Sequence, residues 1–167
     1  MQSQNTTNQV VEIPLTQDKV ALIDAADYER VSSFKWIASK HQKTYYATST
    51  TGGPHQFRKQ IALHRLILDA PSGTQVDHID HNGLNCQRYN LRLCNESQNG
   101  ANRIRNLNNT SGYKGVTWNK RRKKWHGKTK HEGSYIHLGF FNTAEEAAYA
   151  YDAKVRELFG EFALTNF

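Results

Sequence analysis

Residues 111–160 carry the pattern that most restricts the fold of this chain. Three stretches rich in β-branched and aromatic residues predict strands separated by turns: 115–118, 124–130 and 135–141. Apolar residues then recur at helical spacing, after Asn142 or Thr143 as a possible N-cap and before Gly160, which stands where a glycine ends a helix. Alanines on the apolar face let this helix lie close to a sheet. The pattern therefore predicts a three-stranded antiparallel sheet with one packed helix.

One helix covers only one face of such a sheet, and the charge pattern bears on the other face. The chain carries 22 Lys and Arg against 15 Asp and Glu, a formal net charge of +7. Residues 97–131 contain ten Lys or Arg and no Asp or Glu. By alternation, Lys128 and Lys130 share one strand face, opposite Trp125, Gly127 and Thr129. Such a run either binds an anionic polymer or only solvates a surface, and the charges alone leave both interpretations open.

The N-terminal third predicts a small β-rich region. Residues 1–9 are polar and uncharged, which favours a disordered tail, and residues 10–62 contain short β-like stretches. Within the latter, 36–38 and 44–48 form an apparent hairpin, followed by a Gly-Gly-Pro turn at 52–54 and a further stretch at 56–63.

The sequence also excludes several classes of protein. Its apolar runs reach only about four residues, so no helix is predicted to span a membrane, and the start MQSQNTTNQ lacks the features of a secretory signal. Cys86 and Cys94 are too few for a disulfide scaffold and do not form the Cys-x-x-Cys pairs of a structural zinc site. We therefore expect free thiols and a cytoplasmic location.

Residues 63–103 predict a compact series of short elements. A helical run covers 63–68, strands are expected at 75–79 and 90–94, and a polar loop at 80–88 joins the strands. Asn95 can cap a following helix, with Gln98 at the reciprocal position of a capping box. Residues 104–110 show no apolar period and predict a linker.

This series concentrates polar groups that turns use freely but that hydrolysis also needs: Asp77, His78, Asp80, His81, Asn90, Asn99 and Asn102. The spacing is more specific than the composition, because Asn90 follows His78 by twelve residues and Asn99 follows by nine more. With D-H-I-D-H, N-L-R and S-Q-N placed on strand, loop, strand and helix, the region resembles the HNH endonucleases with a ββα-metal fold, in the variant where Asn replaces the last His.

The resemblance implies a role for each of these residues. Asp77 and Asn99 would bind one divalent ion, His78 would act as general base, and Asn90 would hold the loop that orients His78. An imidazole with an unperturbed pKa near 6.5 suits a base at neutral pH. One carboxylate and one amide oxygen favour Mg²⁺, with Mn²⁺ also possible, over zinc.

The geometry of a β-strand limits how Asp77 and His78 can act together. Neighbouring strand residues face opposite ways, so Asp77 and His78 cannot both aim at one phosphate from a regular strand, and the strand must end or bend there. We expect Asp80 and His81 to structure the loop or approach phosphate, and His64 to be buried support rather than a ligand.

Residues 111–167 resemble the DNA-binding domain of the plant Apetala2/ethylene-response-factor family. They share Y-K-G-V, H-L-G-F-F, T-x-E-E-A-A-x-A-Y-D and F-G-x-x-A-x-x-N-F with that family, although its arginines are partly replaced here and the first turn is one residue longer. In that family the sheet lies in the major groove of DNA. Carried over by position, the resemblance implies seven DNA contacts: Lys114, Thr117, Asn119, Arg121, Lys128, Lys130 and His137.

The combined prediction is an α+β chain that works as a metal-dependent DNA endonuclease of the homing type. It comprises a β-rich region, a ββα-metal module at 63–103, a linker at 104–110 and a sheet-and-helix domain at 111–167. We expect double-stranded DNA as substrate, no obligate protein partner and the cytoplasm of a bacterial or phage-infected cell as location. The alternatives are a non-catalytic DNA-binding transcriptional regulator and an RNA-processing nuclease.

Overall fold

The computed structural model describes residues 9–41, 44–52 and 59–167 and divides the chain into two compact units, Met1–Cys94 and Asn95–Phe167. Most of the predicted tail at 1–9, and the turn at 52–54 beyond Gly52, lie outside the described residues. The chain mixes helices with several small antiparallel sheets, which confirms the predicted α+β class in its coarse form.

The first unit is built from short elements. Its described strands form three antiparallel sheets: β1 (Val10–Pro14) with β2 (Val20–Asp24); β3 (Ile37–His41), β4 (Thr44–Thr50) and β5 (Gln60–Ala62) in that order; and β6 (Gln75–His78) with β7 (Leu91–Cys94). Its helices are α1 (Tyr28–Ser32) and α2 (Leu63–Ile67). The predicted hairpin is confirmed as β3 and β4. Of the further stretch predicted at 56–63, positions 56–58 lie outside the described residues, β5 covers Gln60–Ala62, and α2 begins at Leu63.

The core of this unit gathers apolar residues from nearly every element. Alternation buries Ala21 and Ile23 on β2, while Leu63 and Ile67, one helical turn apart on α2, are fully buried. Leu91, at the start of β7, joins the same cluster. The β6–β7 pair is thereby anchored to a packed interior that fixes where its polar loop emerges.

In the second unit, the predicted sheet and helix are confirmed. Strands β8 (Val116–Asn119), β9 (Lys124–His131) and β10 (Ser134–Phe141) pair antiparallel in the order β10-β9-β8, and a bulge interrupts the register between His137 and Gly139. Helix α4 (Ala144–Phe159) follows. Thr143 is its N-cap and forms a complete capping box with Glu146, and Gly160 (φ 51°) adopts the left-handed conformation that ends it.

Helix α4 packs its small residues against the sheet. Ala147 and Ala148 are fully buried with Val116, while Tyr151, Val155 and Phe159 form a second cluster. Asp152 is also fully buried, which the apolar pattern did not predict. Its carboxylate accepts hydrogen bonds from Asn166 and from the backbone N–H of Phe167, so it ties the end of the chain to the helix.

Helix α3 (Glu96–Asn102) belongs to the second compact unit, whereas the sequence groups it with residues 63–94. Ala101 packs into the cluster of Tyr151 and Val155, and its carbonyl accepts from the N–H of Leu164. The predicted capping box of Asn95 and Gln98 is present.

Residues 104–110 contain no helix or strand. Among the described residues, no helix has the length and apolarity needed to cross a membrane.

Candidate active site and nucleic-acid interface

His78 is the last residue of β6, one residue before the predicted end of this strand, and Asp77 precedes it within the same regular strand. The chain turns away immediately after it, because the N–H of Ile79 donates to the Asn90 carbonyl and that of His81 donates back to His78. His81 takes a left-handed backbone conformation (φ 64°) within this turn. The loop 79–90 therefore leaves the β6–β7 ribbon directly at His78.

The His78 side chain is buried, with 5% of its surface exposed. Its Nε2 lies 3.9 Å from Cys86 Sγ, and its ring lies 5.0 Å from the ring of His64 and 5.5 Å from that of Tyr46. Burial lowers the pKa of His78 to about 4, although the carboxylates of Asp80 and Asp77 act in the opposite direction. At neutral pH the imidazole is therefore uncharged, and it is a weaker base than the unperturbed imidazole.

His64 extends from α2 beside this ring. Burial lowers its pKa to about 3, and the charges of His78 and Arg65 act in the same direction. Its Nδ1 is buried without a hydrogen-bond partner among the residues that the structure describes. The residue as a whole is half-buried, and its role as support rather than ligand stays a prediction.

Asn90 fastens the loop from within. Its side chain is 1% exposed; its Nδ2 donates to Asp80 Oδ1 (2.9 Å) and to the Asn85 carbonyl (2.8 Å), and its Oδ1 accepts from the Asp80 N–H (3.0 Å). One amide thus joins the beginning and the middle of the loop to its end, which supports the role that the resemblance implies.

Asp80 is the second centre of this network. Besides Asn90, it accepts hydrogen bonds from the Asn85 side chain and the Asn82 N–H, both at 2.8 Å. Partial burial would raise its pKa, but these hydrogen bonds and the neighbouring His78 lower it overall. The carboxylate is therefore ionised at neutral pH and organises the loop, one of the two roles expected of it.

Gly83 brings the loop against β4. A Cβ at this position would collide with the Tyr45 carbonyl oxygen and the Tyr46 ring, so only glycine fits. Its N–H donates to Thr44 Oγ1 at 3.0 Å. No local pattern indicates this contact, because the partners are 39 residues apart in the chain.

Asp77, the predicted metal ligand, is buried and ion-paired. It stands opposite Arg92 in the β6–β7 register, and its Oδ2 accepts from Arg92 Nε (2.9 Å) and a terminal nitrogen (2.7 Å). By strand alternation, Asp77 and His78 leave the ribbon on opposite faces. The other predicted ligand, Asn99, lies on α3 in the second compact unit, where its N–H donates to the Asn95 carbonyl.

The sheet of the second unit presents one face opposite α4, here called the open face. By alternation and register it carries nine side chains: Thr117, Asn119, Lys124, His126, Lys128, Lys130, Tyr135, His137 and Phe140. Five of them are predicted DNA contacts, and Gly127 and Thr129 are buried on the opposite side as expected. The structure therefore groups Thr117, Asn119, Lys128, Lys130 and His137 on one surface.

The predicted contact Lys114 is placed differently. Its ammonium donates to the Ala101 carbonyl and lies 3.4 Å from the carbonyl oxygen of Leu164. Burial lowers its pKa to about 8, with Asp152 opposing the shift. Lys114 thus holds α3 and the C-terminal segment together within the unit, an arrangement that favours a structural role.

The open face also carries a group of aromatic rings that was not among the predicted DNA contacts, apart from His137. His126 Nε2 lies 3.0 Å from His137 Nδ1, and the His126 ring stacks on Phe140 with centroids 4.7 Å apart. Arg122, from the β8–β9 turn, lies over Phe140 at 4.5 Å, while Asn119 Oδ1 accepts from the Arg122 N–H. Extending the alternation from Lys128 to position 126 would have found His126; the bulge in β10 hid its partners.

Known proteins are similar to the region around His78 and to much of the rest of the chain. A family model described as HNH endonuclease matches residues 69–101, which include His78, Asn90 and Asn99. The chain is 37% identical over 113 residues to Protein 3.8 of Escherichia phage T7, covering 65% of this chain and 93% of that protein. It is 32% identical over 148 residues to the uncharacterized HNH endonuclease L560 of Acanthamoeba polyphaga mimivirus, covering 87% of this chain and 74% of that protein.

Proposed function

Because the chain belongs to the HNH endonuclease family, we propose that it is a metal-dependent DNA endonuclease of the homing type, with His78 as general base. The observation that carries this proposal is the placement of a neutral imidazole at the end of β6, beside a loop fixed by Asn90. Hydrolysis of a phosphodiester needs such a base, since the attacking water must lose a proton.

His78 accepts that proton as the water oxygen bonds to phosphorus. The bond to the 3′ oxygen then breaks on the opposite side, and the leaving oxygen takes a proton from solvent. The proton then passes from His78 to solvent, which restores the neutral imidazole. Asn90 contributes by holding the loop, and with it the backbone that carries the ring.

The residues proposed to hold a metal ion have suitable donor chemistry. A carboxylate from Asp77 and an amide oxygen from Asn99 are ligands of the kind that Mg²⁺ and Mn²⁺ accept and zinc does not favour. Asn99 is assigned by the resemblance alone. When bound, the ion would supply positive charge near the phosphoryl and leaving oxygens. Arg92 pairs with the Asp77 carboxylate on the face of β6 opposite His78, so Asp77 would have to exchange this ion pair for the ion and turn towards His78.

Double-stranded DNA is the proposed substrate, recognised through the sheet of residues 111–167. The open face carries Lys128 and Lys130 beside Thr117 and His137, which supports phosphate and base contacts there. Arg121 and Asn119 lie in or next to the β8–β9 turn; Arg121 is exposed. Lys114 is left out of the proposed contacts, because its ammonium already bonds backbone carbonyls.

A plasmid assay tests the proposal. Supercoiled plasmid incubated with the full chain and Mg²⁺ should be nicked or linearised, and EDTA should prevent this. His78→Ala should lower the rate by about 10²- to 10⁴-fold while duplex affinity, measured in EDTA, stays unchanged. His41→Ala is the matched control, since His41 is an exposed histidine that also contacts Tyr46.

The outcomes separate the alternatives. Tight duplex binding without any cleavage would identify a DNA-binding regulator and refute the nuclease proposal. Preferential cleavage of RNA in a competition assay would instead identify an RNA-processing nuclease. Full activity of His78→Ala would remove His78 from the mechanism.

A further inference from the structure

Four side chains form a continuous row on and beside the open face of the second unit. Arg122 lies over the Phe140 ring at 4.5 Å, Phe140 stacks on His126 at 4.7 Å with a 20° angle between planes, and His126 meets His137. The two imidazoles are almost coplanar, 12° apart, with Nε2 and Nδ1 separated by 3.0 Å. This row runs from the β8–β9 turn across β9 and β10.

The imidazoles of His126 and His137 form the end of the row away from Arg122 and restrict its movement. At 3.0 Å and near coplanarity, one ring nitrogen donates its hydrogen to the other, which fixes both ring planes. His126 in turn stacks on Phe140 and limits the movement of that ring. Phe140 is therefore held as a rigid support although 37% of its surface is exposed.

Arg122 is the charged end of the row. A cation over an aromatic ring at this distance is attracted by the ring, so the guanidinium is oriented rather than freely mobile. Its backbone is also fixed, because the Arg122 N–H donates to Asn119 Oδ1 at 2.9 Å. Among the described residues it forms no ion pair, and the side chain is exposed.

We propose that Arg122 is a specificity-determining residue of the open face and reads guanine in the major groove, with Phe140, His126 and His137 positioning it. The inference rests on the proposed DNA-binding function of this sheet. A guanidinium presents two parallel N–H groups to guanine O6 and N7, and prior orientation by a ring reduces the entropy lost on binding. Arg122 is assigned this role instead of Arg121, because the structure shows no ring or other group that orients the Arg121 guanidinium among the described residues.

Arg121 provides a matched control, because it carries the same charge on the same turn. The full chain, held in EDTA so that DNA stays intact, selects binding sites from a random duplex library. Dissociation constants for the selected duplex and for the same duplex with its guanines replaced then give a selectivity ratio. The ratio is measured for wild type, Arg122→Ala, Arg122→Lys, Phe140→Leu and Arg121→Ala, with thermal unfolding to verify that each variant is folded.

Arg122→Ala should reduce the selectivity ratio by roughly 5- to 150-fold. Arg122→Lys should lose selectivity but keep non-specific affinity, since the charge remains. Phe140→Leu should lose part of the selectivity without any change of charge, whereas Arg121→Ala should weaken both duplexes equally. Equal behaviour of Arg122→Ala and Arg121→Ala would overturn this inference and leave the proposed function intact. A wild-type protein that shows no preference among duplexes would overturn both the inference and sequence-specific DNA reading by the sheet.

Discussion

The loop around His78 and the open face of the second unit use polar side chains in opposite ways. In the loop, Asn90 is 1% exposed and all its recorded hydrogen bonds go to the loop itself. On the open face, Lys130 and His137 are exposed and the sheet carries no acidic residue from 116 to 131. The first region stabilises one geometry, and the second keeps its charge available.

The difference reflects what each proposed task requires. A general base must be held in one place, so its surroundings are buried and mutually hydrogen-bonded, and replacing a member of the network costs stability. A surface that meets phosphates must stay hydrated and unpaired before binding, so its side chains contribute little to folding. Three further predictions distinguish the two regions, by the free energy of unfolding of variants and by the salt dependence of their affinity for duplex DNA.

The largest effect is expected from Asn90→Ala. The substitution removes three hydrogen bonds and leaves the Asn85 carbonyl and the Asp80 N–H without their partner. We expect a loss of about 2–4 kcal/mol in the free energy of unfolding, measured with urea, together with loss of plasmid cleavage. Asn82→Ala, in an exposed part of the same loop, should cost less than about 1 kcal/mol. Equal losses would show that the loop is not organised from Asn90.

Acid should destabilise the first unit through His64. Burial lowers its pKa from the ordinary value of 6.5 to about 3 in the folded protein, so the unfolded chain binds the proton first as pH falls. Stability is therefore complete above about pH 6.5 and decreases towards pH 3, by at most about 1.4 kcal/mol per pH unit for this group.

The test compares urea unfolding of wild type and His64→Phe at pH 7, 6 and 5. The variant should lose less stability across this range than wild type, because it lacks the one imidazole at position 64 whose protonation favours the unfolded chain. His41→Phe replaces an exposed imidazole and should follow wild type. Parallel curves for wild type and His64→Phe would contradict the burial argument.

The smallest effect concerns salt. If five basic side chains of the second unit meet phosphates, the logarithm of duplex affinity should fall with the logarithm of salt concentration at a slope of roughly −4 to −5. Lys128→Met should make this slope shallower by about one, because Lys128 lies on the open face. Lys114→Met should leave the slope unchanged and lower thermal stability, because its ammonium bonds the carbonyl of Ala101.

A shift of the slope with Lys114→Met and none with Lys128→Met would reverse the assignment of these two lysines. Both substitutions remove one charge and keep a long apolar side chain, so the comparison isolates where the charge lies rather than how many there are.

Much of the site was predictable because it depends on local order along the chain. The strand before the polar loop, the capping box at Asn95 and the sheet-and-helix pattern after residue 111 follow from spacing, turns and caps within a few residues. The family resemblance around His78 and Asn90 rests on the same short-range spacing, and the HNH match at 69–101 confirms it.

The sequence by itself determined which residues could do chemistry and in what order they occur. Only the tertiary structure decided their surroundings: Arg92 on Asp77, the buried ammonium of Lys114, and Arg122 on Phe140. The physical reason is that alternation and helical period fix the direction of a side chain locally, whereas its partner is chosen by how distant segments pack. Residue type sets what a group can do, and burial decides whether its charge is paired within the fold or left for a ligand.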